Sequence, residues 1–278
     1  MKMNTEKMSQ RLTVLALTGL ALFTLSGCDV FAFPSENHKS SSAVFNSEVS
    51  EKTTQTEIEK LQEQLVETPD VSTSDWNLIL VNQANPLADN VEFEPYIASS
   101  GEVLDARIAQ DFEAMLAAGE AEGIPFVFVS GYRPYELQQQ IYENVYWGHL
   151  NNDNSEAEAK ELTEEYIAIP GTSEHMTGLA ADISDPALYH LENGLITEFE
   201  DTATAQWLYE NAADYGFILR YPSDKEGIID VKYESWHFRY VGRENAQYMD
   251  GNNLALEEYI AILQKNEAIR EQISELSE

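Results

Sequence analysis

The stretch Gly171–Asp182, reading GTSEHMTGLAAD, decides how the rest of this chain is read, because a second stretch, Glu234–His237 (ESWH), completes it. Together they offer His175, Asp182 and His237 as three donor side chains and leave Glu234 over as a carboxylate base. Two imidazoles and one carboxylate suit Zn2+, and a three-ligand site keeps a fourth position open for water. A carboxylate beside such a site could accept that water's proton. Residue type alone leaves plainer readings open. A solitary histidine is more often a satisfied core or surface residue than a ligand. Asp182 could simply end a strand, and Glu234 and His237 could form a solvated pair. In a regular strand, positions 234 and 237 face opposite sides of the sheet. A shared metal centre therefore demands that Glu234 precede the strand or sit in a bend.

Outward from this stretch, the hydrophobic patterning alternates short apolar runs with helical periodicity. Pro125–Val129, Leu179–Ile183, Phe217–Arg220 and Ser235–Val241 read as strands, as does Trp76–Val81, which Asn85-Pro86 closes with a turn. Asp105–Glu120 carries Ile108, Phe112, Met115 and Leu116 at helical spacing. Pro134 suits the first turn of a helix running through Leu137, Ile141 and Val145. Ser155–Ile167 reads as an acidic helix, and Ala203–Tyr215 as a helix stopped by Gly216. A last helix spans Asn253–Ser274 with Leu256, Tyr259, Ile260 and Leu263 inward. This order predicts an α+β fold: a single catalytic domain, residues 75–278, in which a small antiparallel sheet carries the zinc site and helices flank it.

The N-terminus is of a different kind. Lys2, Lys7 and Arg11 precede an apolar run from Leu12 to Leu25, too short for a comfortable membrane span and suited to a secretory signal. The run ends in Leu25-Ser26-Gly27-Cys28, which resembles a bacterial lipobox and implies cleavage after residue 27 with lipid attached to Cys28. Cys28 is the only cysteine of the 278 residues, which excludes an intramolecular disulfide and a Cys-rich zinc motif. Residues 28–74 are rich in Ser, Thr, Glu and Gln and read as a disordered tether. The expected location is extracytoplasmic, anchored to a bacterial cell membrane. The net charge of −33 disfavours nucleic acid, which is not expected as a partner, and no protein partner is indicated. An acidic chain must meet any anionic substrate group with a locally placed cation, which draws attention to each Arg near the motifs.

Four segments in order, SGYRPYELQ (130–138), GTSEHMTGLAADI (171–183), YGFILRYP (215–222) and YESWHFRYVG (233–242), resemble the VanY-type zinc D-alanyl-D-alanine carboxypeptidases and the related L,D-carboxypeptidases. The resemblance covers roughly residues 75–265. It implies Zn2+ held by His175, Asp182 and His237, with Glu234 as catalytic base. It implies a catalytic Arg133 and substrate contacts from Ser130, Tyr132, Gln138 and Ser173. A capping role for Ser173 is the alternative. Arg133 could stabilise the oxyanion or clamp the terminal carboxylate. The implied substrate is the peptidoglycan stem peptide, from which a C-terminal D-alanine is removed. The length of the acidic segment Asn144–Ile167 leans the reading toward L,D cleavage of tetrapeptides over D,D cleavage of pentapeptides; the GFILRYP segment leans the other way. A non-catalytic wall-binding lipoprotein and a cross-bridge endopeptidase are the remaining readings. His38, His149 and His190 lie outside the motifs and are assigned no chemistry.

Overall fold

The computed structural model describes residues 41–278 except 192, 193 and 230, with side chains from residue 52 onward. The signal segment, Cys28 and His38 lie outside the described residues. Residues 51–278 form one compact unit. In chain order the elements are α1 (Ser41–Gln62), β1 (Pro95–Ile97), β2 (Val103–Asp105), α2 (Ala109–Ala121), β3 (Val127–Ser130), α3 (Tyr135–Leu150), α4 (Glu156–Glu164), β4 (Ala180–Ser184), α5 (Ala203–Asn211), β5 (Phe217–Tyr221), β6 (Glu234–Tyr240), α6 (Arg243–Gly251) and α7 (Leu256–Leu276). The main sheet has the order β3-β4-β6-β5 and is antiparallel throughout. β1 and β2 form a separate hairpin. The expected α+β fold with its small antiparallel sheet is what the chain adopts.

The sheet is covered by helices because each offers one apolar stripe. Phe112 and Met115 of α2 with Ala205, Trp207 and Leu208 of α5 pack against Phe128, Ala181, Ile183, Phe217 and Phe238 of the strands. A second core joins Leu78 and Ile218 to α6 and α7 through Met249, Leu256, Tyr259, Ile260 and Leu263. The inward positions read for the last helix are those observed. Burial of this many side chains, at about 25 cal/mol per Å2 of apolar surface, is what offsets the backbone entropy of the fold.

Two expectations are corrected. Trp76–Val81 is not a strand, although its composition suits one. Its carbonyls are taken by a side chain: Arg239 Nη2 donates to Asn77 O at 3.3 Å and to Ile79 O at 2.7 Å. Asn77 in turn donates to Val241 O at 2.5 Å. The segment thus satisfies its backbone across the edge of the core without a ladder.

The second correction concerns residues 28–74, read as a tether. The described part is helical over Ser41–Gln62, and residues 66–73 are fastened to α7. Asn266, fully buried, both accepts from Val66 N at 3.0 Å and donates to Val66 O at 2.8 Å. Glu267 accepts from Ser72 Oγ, Thr73 N and Thr73 Oγ1 at 2.8–3.0 Å. Polar composition hid this, because the attachment is made by hydrogen bonds and not by an apolar stripe.

Candidate metal centre and substrate cleft

Each donor is placed by a local feature of the sequence. His175 lies in a single 3-10 turn, Glu174–Thr177, which Gly178 ends at φ 71°. A Cβ at Gly178 would lie 2.7 Å from Phe93, so the glycine is required both for the left-handed backbone and for space. Asp182 sits mid-β4 and pairs directly with His237 of β6 across the ladder. Neighbouring strands 4.7–4.9 Å apart thereby carry two donors to one place.

Glu234 reaches the same place through a bulge. Between the pairs Leu219↔Phe238 and Tyr221↔Glu234, β6 advances four residues while β5 advances two. The break in the ladder frees Glu234 from strict alternation along β6, and Glu234 Oε2 lies 3.4 Å from His237 Nδ1. This is the bend that a common centre demanded.

The donor atoms of His175, Asp182 and His237 lie within 4.8 Å of one another, and all three residues are buried. His175 Nδ1 is 2.6 Å from Gly131 O. A carbonyl can only accept, so Nδ1 carries the proton and Nε2 keeps its lone pair for a metal. His175 Nε2 and Asp182 Oδ1 are buried without a hydrogen-bond partner. Buried polar atoms are rarely left so unless something else binds them. Three donors from imidazole and carboxylate, with a fourth direction facing a cleft, fit Zn2+. Gly131 is itself fixed, since a Cβ there would lie 2.2 Å from Val103 O of β2.

The electrostatics separate the donors from the base. Burial and the nearby Arg133 lower His175 to about 4, so it is neutral near pH 7. Burial opposes charge on Asp182, yet the two histidines hold it well below the usual carboxylate range. Burial raises Glu234 to about 7, against the pull of His237 and Arg133. A carboxylate poised there suits proton transfer at neutral pH.

Two cavities open on either side of this centre, and His175, Glu234, Arg133, Tyr166 and Ile167 line both. The first, about 70 Å3, is completed by Gln138, Ser173, Tyr221 and His237 among others. The second, about 500 Å3, is bounded by Leu195, Ile196, Glu198 and Trp236. Among the residues lining the two, Arg133 is the one Lys or Arg, and its Nε is buried without a hydrogen-bond partner.

Gln138 is 1% exposed, donates to Ala168 O at 2.7 Å and leaves Oε1 without a partner. Ser173 lines the smaller cavity and makes no side-chain capping bond, which sets aside the capping alternative. Ser130 and Tyr132 line neither cavity. Ser130 pairs with Asp182 in the sheet, and Tyr132 packs edge-on against Phe93. Ser130 thus helps to seat Asp182 through the sheet, and it is Arg133, not Tyr132, that lines the two cavities.

Three residues escaped the sequence reading. Glu174, Arg220 and Arg239 are buried beside the donors and joined to one another. A signal existed for one of them: Arg239 is two residues from His237 on one strand and so shares its face.

Residues 101–243 match the VanY family, described as D-alanyl-D-alanine carboxypeptidase. The chain belongs to this family. It is 38% identical over 186 residues to a D-alanyl-D-alanine carboxypeptidase of Enterococcus faecalis, covering 67% of this chain and 66% of that protein, just under two thirds of the relative's length. A solved VanY D,D-pentapeptidase variant from a VanB-type resistance cassette, in complex with Zn(II), is similar at TM-score 0.59 and 38% identity, over 67% of this chain and 99% of that one. The LdcB LD-carboxypeptidase is similar at TM-score 0.54 and 34% identity, over 68% and 87% of the two chains. The zinc in the VanY relative agrees with the donor set derived above.

Proposed function

We propose that this protein is a zinc carboxypeptidase that removes C-terminal D-alanine from peptidoglycan stem peptides. The observation that carries this reading is the Glu234 carboxylate, outside the three-donor set, beside His175, Asp182 and His237 in an open cleft. Zn2+ held by those three residues supplies a Lewis acid that lowers the pKa of water to about 7 and polarises a peptide carbonyl. Glu234 takes the proton of the attacking water and passes it to the leaving amine of D-alanine. Arg133 meets the free carboxylate of the substrate's last residue. A carboxypeptidase must read that charge, and Arg133 is the one Lys or Arg lining the cavities.

Trimming of synthetic stem peptides tests this. Chelation should abolish release of D-alanine and added Zn2+ should restore it; release that survives chelation contradicts the reading. Stem-peptide binding without product would favour a non-catalytic wall-binding role, and conversion of muropeptide dimers to monomers would favour an endopeptidase.

Two readings of the scissile bond have support. The segment leading to residues 164–168 does wall the smaller cavity, which favours the L,D reaction on tetrapeptides. The higher identity to a D,D-pentapeptidase favours the D,D reaction on pentapeptides. Mass spectrometry of tetra- and pentapeptide substrates separates them. If pentapeptide is cut to tetrapeptide and the tetrapeptide persists, the reaction is D,D.

Cys28, at the end of the lipobox-like Leu25–Cys28, anchors the protein to the outer face of the membrane in this reading. Cys28→Ala should release the protein from membranes or block its processing. Unchanged membrane association of that variant contradicts anchoring.

A further inference from the structure

Beneath the metal centre lies a buried network that the proposed reaction does not use. Glu174, 1% exposed, accepts through one oxygen, Oε1, from two arginines: Arg220 Nε at 2.8 Å and Arg239 Nη1 at 2.7 Å. Both arginines are themselves held. Arg220 forks onto Glu257 at 2.9 and 2.6 Å. Arg239 donates to Asn77 O, Ile79 O and Tyr240 O. Two guanidiniums locked in this way leave the Glu174 carboxylate one orientation.

That orientation points the other oxygen, Oε2, at His237 Nε2, 3.6 Å away. Both atoms are buried, and neither has a hydrogen-bond partner. An acceptor and a ring nitrogen stand face to face with nothing else to satisfy them, a few tenths of an ångström beyond bonding length. On the opposite side of the same ring, Nδ1 faces Asp182 Oδ1 at 3.1 Å and Glu234 at 3.4 Å, where the metal belongs.

We infer that Glu174 is the positioning residue of the metal centre: clamped by Arg220 and Arg239, it holds the Nε2–H of His237 and so presents Nδ1 to Zn2+. A ligating imidazole needs its other nitrogen engaged in this way to fix tautomer and ring angle. His175 has Gly131 O for the purpose, and Glu174 does the same for His237. This inference rests on the zinc reading.

Glu174→Gln is a sharp test. The one oxygen of the amide must serve the two arginines, which turns its NH2 against the Nε2–H of His237, donor against donor. In the full-length protein, Zn2+ affinity measured by chelator competition should fall roughly 10- to 100-fold. Glu257→Gln removes a partner of Arg220 without touching His237. It should lower the melting temperature of the metal-free protein and leave Zn2+ affinity within about threefold of wild type.

Wild-type affinity in Glu174→Gln, or equal losses in both variants, overturns the inference. Should Glu174→Gln not fold, 15N-histidine NMR of the zinc-loaded wild type decides. A slowly exchanging Nε2–H on His237 with a hydrogen-bonded shift is expected, and a freely exchanging one refutes the assignment. A wild type that binds no Zn2+ would instead bring down the functional reading itself.

Discussion

At the scale of single residues, Glu234 and Arg133 carry the sharpest expectations. Glu234→Gln keeps all three donors and loses the base. It should bind Zn2+ normally while turnover falls roughly 10²- to 10⁴-fold, the range for removing a positioned acid–base group. Retained turnover would take the proton transfer away from Glu234. Arg133→Ala should act mainly on KM and should lose discrimination between free and C-amidated peptides. A fall in kcat with discrimination intact would move Arg133 to the oxyanion. The two histidine donors were legible because the chain holds only 5 histidines, whereas Asp182 and Glu234, two of 49 acidic residues, were legible only through their place in motifs beside those histidines. Glu174, Arg220 and Arg239 were not, since a buried charge network looks like ordinary surface charge until burial is known. Ser130 and Tyr132 line neither of the two cavities that Arg133 lines, because neighbours in a motif need not share a direction. Between them and Arg133 the chain turns from the end of β3 into the start of α3.

At the scale of elements, strand periodicity located the sheet to within one or two residues. What it could not show was the bulge that puts two extra residues on β6. Period-2 logic alone sends Glu234 and His237 to opposite faces, so the sequence held a contradiction that only a break in the ladder could resolve. Deleting two residues from this bulge should return Glu234 to the far face and abolish hydrolysis while the sheet survives, with circular dichroism checking the sheet. Trp76–Val81 failed as a strand for the opposite reason, its carbonyls being claimed by a side chain from afar. The N-terminal boundary failed likewise. A chain beginning at residue 75 loses the five bonds described to Asn266 and Glu267 and leaves a buried amide unpaired. Each is worth about 1 kcal/mol, and a domain of this size shifts about 2–4 °C per kcal/mol. Its melting temperature should fall by about 10 °C or more relative to a chain beginning at residue 64. Equal melting temperatures would show that these bonds contribute nothing.

At the scale of the whole molecule, proton and metal compete for one ring. Burial alone would lower His237, but the carboxylates of Asp182 and Glu174 facing its ring raise it to about 9 in the metal-free protein. Metal needs the neutral imidazole, so binding at pH 7 expels a proton. A raised pKa means that the proton is lost only as pH climbs toward 9. Zn2+ affinity should therefore rise about tenfold per pH unit from 7 to about 9 and level off above it. His175, already neutral at pH 7, adds nothing to this slope. Calorimetry at pH 7 in buffers of different ionisation enthalpy should find about one proton released per Zn2+. Finding none would mean that the three carboxylates around His237 do not hold it charged.

The position of β6 also has a consequence in time. It is the last strand in the chain, yet it lies inside the sheet, between β4 and β5. It carries one donor and the base, and it pairs with a strand more than fifty residues upstream. Closing so long a loop is slow compared with forming helices. During refolding, the N-terminal helices should gain protection from hydrogen exchange before any metal can be captured. Zn2+ uptake should then report the final step of assembly. A chain whose synthesis stops short of residue 234 holds neither the base nor a complete set of donors, so immature protein carries no stray hydrolytic activity.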